Sequence, residues 1–138
     1  MNDALLKFFK KDKFAAFVGI KLVEIKTGYA KVELEISEDH LNAVNIIQGG
    51  VIFTLADFAF AVASNSQGQV AVSINASISY FQSTKGKMLI AEAKEAFTNS
   101  KLTNYDVFVH DENNEPIAKF TGMAYRKKEK LALESLGE

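Results

Sequence analysis

The stretch Asn45–Asn65, NIIQGGVIFTLADFAFAVASN, decides how the rest of the chain must be read. Between Val51 and Ala63 only Thr54 and Asp57 are polar, and only Asp57 is charged. Its alanine and leucine content favours helix. Gly49-Gly50 stand at its start and NSQG, residues 65 to 68, carries stop signals at its end. Apolar side chains run all the way round such a helix, which predicts burial on every side.

Working outward, the segments before this helix read as cover and hairpin. Residues 3 to 18 set Leu5, Leu6, Phe8, Phe9, Phe14 and Phe17 among lysines, at the spacing of a short amphipathic helix broken near Asp12. IKLVEIKTGYAKVELEIS alternates about the turn KTG and predicts a β-hairpin. Residues 38 to 48 show neither period and read as a loop. After the helix come QVAVSINASISYF, KMLIAEAKEAFT, LTNYDVFVHD and EPIAKFTGMAYRK, which alternate as strands, with QSTKGK, NSK and ENNEP as turns between them. The sole proline, Pro116, sits at a strand start, where its missing N–H costs little. The charged tail after Lys128 reads as frayed.

The bulk numbers narrow the function classes. At 138 residues, residues 1–138 form one domain, and a net charge of −1 gives no reason to expect nucleic acid or an anionic membrane as partner. The chain has no cysteine, which excludes disulfides, thiolate metal sites and a cysteine nucleophile. Its two histidines lack metal-ligand spacing, so no metal is expected. No signal-peptide pattern and no run of about 18 apolar residues is present, which points to a soluble, cytoplasmic protein. His40 reads as a solvated loop residue or as lining a site's mouth, and His110 reads as surface.

A wholly apolar helix must be wrapped, and the only material available is a curved antiparallel sheet of about six strands. This is an α+β architecture, the hotdog fold, with the sheet around one long buried helix. The open sheet edge predicts at least a homodimer.

Asp57 asks for a function. Desolvation raises a carboxylate's pKa and makes it a better base or nucleophile while it stays ionised. A Gly-Gly pair at a helix start leaves its N–H groups unobstructed, and with the positive end of the helix dipole they can hold a developing oxyanion. A carboxylate and an oxyanion hole are the minimum for hydrolysing an activated acyl group. Asp57 lies about 10 Å beyond Gly50 along the helix. If both act on one carbonyl, they come from different chains. The structural alternatives are a buried Asp bonded within its own core and a Gly-Gly that is only a tight turn.

Residues 41–68, LNAVNIIQGGVIFTLADFAFAVASNSQG, resemble the signature of hotdog thioesterases of the phenylacetate-degradation (PaaI) type. That signature runs from an asparagine through Gly-Gly and an apolar helix with Leu-Ala-Asp to an Asn-Ser stretch. Elsewhere the resemblance is one of element order. It implies that Asp57 is the catalytic carboxylate, attacking the thioester carbonyl or activating a water. It implies that the Gly49 N–H belongs to the oxyanion hole and that Asn42 positions the nucleophile or water. Gly50, with Ser77 or Asn75 on the following strand, stands where relatives contact the substrate or steady the carboxylate. The implied substrates are acyl-CoA thioesters, with no metal or redox cofactor, and the implied assembly is a dimer or a homotetramer. Gln48 departs from the family, which usually has His there; Gln keeps a donor and an acceptor but cannot titrate. Phe53, Phe58, Phe60 and Tyr80 read as core or as pocket walls. The alternative is a hotdog domain that binds acyl-CoA or a fatty acid without turnover. A hydratase or dehydratase ranks last, because the helix carries no histidine.

Overall fold

The computed structural model describes residues 3–133. Two short helices, α1 (Asp3–Phe9) and α2 (Lys13–Val18), lead into the hairpin β1 (Ile20–Lys26) and β2 (Tyr29–Glu35). The long helix α3 (Gly49–Ser64) follows, and then β3 (Gln69–Tyr80), β4 (Met88–Thr98), β5 (Leu102–Asp111) and β6 (Pro116–Lys130). The break expected near Asp12 is there for a stated reason: Asp12 is the N-cap of α2 and accepts the Ala15 N–H at 3.0 Å.

The six strands form a single sheet in the order β1-β2-β4-β5-β6-β3, every neighbouring pair antiparallel. The sheet curls round α3, which packs against each of its strands. Alternation does the sorting. Val32 and Leu34, Leu89 and Ala91, Val107 and Val109, and Phe120 are all buried beneath the helix, while the residues between them face outward. Each large apolar side chain so buried contributes roughly 1.5–3 kcal/mol.

The helix ends are tied into the sheet. Asn65 donates to the Ala61 carbonyl at 2.7 Å and accepts the Ala71 N–H at 2.8 Å, so one amide side chain closes the helix and starts β3. Tyr105, buried under the last turn, donates its hydroxyl to the Ala63 carbonyl at 2.9 Å.

Two sequence expectations need revision. The helix is not buried on every side: Gly50 is exposed, and Thr54, Asp57 and Ala61 are half-buried. These positions recur at i, i+4, i+7 and i+11, a single stripe. The sheet covers the rest of the circumference, and α1 reaches only as far as Phe58, where Phe9 packs edge-on at 6.5 Å. The chain past Lys128 is also longer in order than its charge implied. Lys130 pairs with Gln69, and the Leu131 N–H donates to the Gly68 carbonyl at 2.7 Å. Residues 134–138 lie outside the described residues.

Gly122 on β6 marks where the helix comes closest to the sheet. A Cβ there would stand 2.8 Å from the Phe60 ring and 2.9 Å from that of Phe120. Both rings are fully buried and have nowhere to go. Gly122→Ala is therefore expected to lower folding stability by about 1–3 kcal/mol. Urea denaturation measures it, and an unchanged midpoint would mean that the rings can give way.

Candidate active site

The N-terminus of α3 is built by Gln48, Gly49 and Gly50. Gln48 has extended N-cap geometry, and its Oε1 accepts the Gly50 N–H at 2.7 Å, while its backbone carbonyl accepts from Val51 at 2.9 Å. The residue that departs from the family pattern is thus the helix cap. One consequence is that the Gly50 N–H is already taken. The Gly49 N–H has no hydrogen-bond partner among the described residues. It is the free donor at the positive end of the helix.

Gly49 opens onto a cavity of ≈ 330 Å³ lined by Asn42, Ile46, Ile47, Gly49, Ile52, Tyr80, Phe81, Gln82 and Ser83. Two of the expected site residues, Gly49 and Asn42, therefore meet. The loop before the helix is folded around Asn42. Its Oδ1 accepts from Val44 at 3.0 Å and Ile46 at 3.3 Å, and its backbone N–H donates to the Ile46 carbonyl at 2.8 Å. Asn45 takes the left-handed turn at φ 62° that this loop requires. The carbonyl end of the Asn42 side chain is spent on its own loop, which leaves the amide end as a donor for something else.

Asp57 is not in that cavity. It sits on the half-buried stripe, about two turns further along. Its carboxylate makes no hydrogen bond or ion pair among the described residues. Burial raises its pKa above the ordinary carboxylate range, and the negative charge of Asp12 adds to the effect.

The register of β3 separates the other candidates. Ser73 pairs with Ala124, Ala76 with Gly122 and Ile78 with Phe120, and those β6 partners are buried beneath the helix. Ser77 and Asn75 pair with Thr121 and Met123 on the opposite face, so within one protomer neither reaches the Gly49 cavity. A bulge between Ser73 and Asn75 flips the alternation at this point. Periodicity alone gives no warning of it. Ser73 is the hydroxyl on the helix side. Tyr80, the last residue of β3, lies at the site itself: its hydroxyl donates to the Gly49 carbonyl at 3.0 Å.

Among the aromatic candidates, Phe60 packs on Tyr105 and Phe120, and Phe53 packs on Phe120, as core. His40 corrects its expectation. It is buried, its Nδ1 accepting the Ser37 N–H at 2.9 Å and its Nε2 donating to the Val18 carbonyl at 2.6 Å. It clamps the loop to α2 and does not line the cavity. His110 is half-buried on the outer sheet face, 3.2 Å from Glu92, which also accepts the Tyr29 hydroxyl at 2.7 Å.

A free backbone donor at a helix start, a polar cavity rim and an unpaired carboxylate with a raised pKa are the parts of an acyl-transfer site. The family model described as thioesterase superfamily matches residues 45–118, more than half the chain and all of α3. The chain belongs to the thioesterase superfamily. Among relatives of this thioesterase-superfamily chain, a putative esterase of Archaeoglobus fulgidus is 43% identical over 122 residues, 88% of this chain and 79% of that protein. The acyl-coenzyme A thioesterase PaaI of Escherichia coli is 30% identical over 119 residues, 86% of this chain and 85% of that protein. The solved Escherichia coli PaaI structure matches with a TM-score of 0.86 at 28% identity, covering 90% of this chain and 91% of that one. A Streptococcus mutans protein solved with acetyl CoA bound matches with a TM-score of 0.78 at 27% identity, covering 83% and 94%. The hotdog fold and the PaaI-type kinship expected from residues 41–68 both hold.

The raised pKa of Asp57 has a sign that stability measurements can check. The folded state keeps a proton on this carboxyl at pH values where the unfolded chain has lost it. Its contribution to stability is therefore largest below the ordinary carboxylate pKa and is lost as pH rises through the raised value. Asp57→Asn removes the penalty of the buried charge. The variant is expected to unfold at a higher temperature than wild type at neutral pH, with the gap closing as the pH is lowered through the raised pKa. Thermal melts across pH measure this, and a gap that does not depend on pH would contradict it.

Proposed function

We propose that the protein hydrolyses acyl-CoA thioesters to the free acid and CoA, with each active site shared between two copies of the chain. In this reading Asp57 of one protomer attacks the thioester carbonyl carbon or takes a proton from the water that does. The carbonyl oxygen gains negative charge, which the partner's Gly49 N–H holds, aided by the helix dipole. The carbon–sulfur bond then breaks, and the thiolate leaves as CoA with the proton that Asp57 took from the water. Where Asp57 itself attacked, a water then hydrolyses the acyl–Asp57 anhydride, which frees the acid, restores the carboxylate and supplies that proton. The Asn42 amide serves as the donor that steadies the water or the carbonyl.

The single observation that carries the reading is the free Gly49 N–H at a cavity together with an unpaired Asp57 about two turns along the same helix. Within one chain they are too far apart to serve one carbonyl. A two-fold axis near Thr54, midway between Gly50 and Asp57, would bring each to the other's counterpart in an antiparallel pair of helices, as an isologous interface requires. β3 supports the same arrangement. It is a 12-residue edge strand with β6 on one side and no strand on the other, and Ile74 on it is 56% exposed. A long apolar edge of this kind is what a second copy would cover. The identity of the PaaI relative as an acyl-coenzyme A thioesterase and the acetyl CoA bound to the Streptococcus mutans relative supply the substrate class.

Thiol release from short, medium, long and aryl acyl-CoAs tests the activity. Asp57→Asn is expected to lower turnover by at least about a hundredfold. Gly49→Pro removes the donor N–H at a first helical position, with an expected loss of about 10²–10³-fold; Gly49→Ala, which brings a Cβ to the same place beside Tyr80 but keeps the N–H, is the control and is expected to lose less. Asp57→Asn and Gly49→Pro alone are therefore each expected to keep at most about a hundredth of wild-type activity. Refolded together in equal amounts, they are expected to recover roughly a quarter of wild-type activity, because half of the dimers then hold one intact site. No recovery on mixing would place both groups in one chain. No turnover of any acyl-CoA by wild type would sink the hydrolase reading.

The acid limb of kcat/KM is expected above the ordinary carboxylate range, since Asp57 must be ionised to act and burial and Asp12 raise its pKa. Asp12→Asn keeps the cap on Ala15 and removes the charge. It is expected to move that limb to lower pH, and a pH–rate profile reads the shift.

A further inference from the structure

The geometry points to Tyr80 as a positioning residue of the oxyanion donor: from the edge strand its hydroxyl fixes the Gly49–Gly50 peptide, and so the torsions at the Gly49 Cα that join it to the peptide carrying the Gly49 N–H. The inference rests on the hydrolase reading above for its kinetic consequence, but its structural content stands apart from it.

Two consecutive glycines open α3, and glycine has the widest conformational freedom of any residue. The first turn of a helix has the fewest internal hydrogen bonds to restrain it. A donor placed there is soft unless something outside the helix holds it. The plane of the Gly49–Gly50 peptide is held at both ends. Its carbonyl oxygen accepts from the Tyr80 hydroxyl at 3.0 Å, and its N–H donates to Gln48 Oε1 at 2.7 Å. The preceding peptide is held through the Gln48 carbonyl, which accepts from Val51 at 2.9 Å and Ile52 at 3.4 Å. With the planes on both sides of the Gly49 Cα fixed, the Gly49 N–H points one way.

Of these restraints only Tyr80 comes from outside the helix start, 31 residues along the chain. It also favours glycine at position 49. A Cβ there would lie 3.3 Å from the Tyr80 ring and 3.4 Å from its hydroxyl, tighter than ordinary contact. Gly49 therefore has two duties: it presents a bare N–H and it lets Tyr80 approach its carbonyl. Because Tyr80 ends β3, whose outer edge is open, the strand that would meet a second copy also aims the donor.

Tyr80→Phe keeps the ring and deletes the hydrogen bond. Displacing catalytic groups by about an ångström costs up to about a hundredfold, and the loss of one such restraint is expected to lower kcat roughly tenfold, with KM within about twofold and the melting temperature little changed. Gly49→Ala keeps the N–H but pushes Tyr80 away. Tyr80→Phe is then expected to cost nothing further in the Gly49→Ala background, a non-additivity that general destabilisation would not produce. The amide resonances of Gly49 and Gly50 are a readout that needs no activity: both are expected to shift and broaden in Tyr80→Phe. If wild type turns over acyl-CoA but Tyr80→Phe matches it in kcat, or if the two substitutions add, the positioning role fails while the hydrolase reading stands. If wild type hydrolyses nothing, the resonances decide: unmoved glycine amides overturn the inference, and moved ones support it.

Discussion

The structure depends on the covering of one apolar helix. Residues 51–63 have almost no polar side chain, so α3 cannot exist with its surface in water, and every strand of the sheet contributes to its cover. The curl of the sheet, the alternation on β2, β4, β5 and β6, and the bare Gly122 beneath Phe60 all follow from bringing backbone close to that helix. A flat sheet would cover one side only. A curved one covers most of the circumference and leaves a stripe.

The stripe is where the proposed chemistry would lie. Gly50, Thr54, Asp57 and Ala61 lie along one line and are exposed or half-buried, and the residues there are small or polar. Asp57 costs stability in this position because burial and Asp12 both disfavour its charge. Such a group is retained where its reactivity is useful. The same helix is therefore the core of the fold along most of its surface, and in the proposed mechanism the remainder, with its N-terminal dipole and free N–H, would serve the reaction.

The fold was largely legible in the order of its elements. The hairpin about KTG, the break at Asp12, the glycine start and the Asn65 end of α3, and the strands after it all carry local signals, and local signals are what a sequence displays. The site was legible in part. Asp57 and Gly-Gly stand out because each violates its surroundings. Which face of β3 carries Ser77 and Asn75 was not legible, because a single bulge between Ser73 and Asn75 inverts the alternation and bulges leave no mark in the hydrophobic pattern. His40 looked like a loop residue among polar neighbours, yet it is buried with both ring nitrogens engaged, one of them on the Val18 carbonyl at the end of α2.

By itself the sequence determined that α3 must be wrapped, that the wrapping is an antiparallel sheet, and that a lone carboxylate and a glycine pair lie too far apart on one helix to act together. Those conclusions follow from composition and spacing, which do not depend on distant parts of the chain. Only the tertiary structure decided which glycine keeps its N–H free, because that turned on the Gln48 side chain folding back onto Gly50. It alone brought Tyr80 to the Gly49 carbonyl and closed the cavity with Asn42. Tyr80 and Gly49 are 31 residues apart, and their distance is set by how far the sheet curls around the helix, a quantity no local pattern encodes.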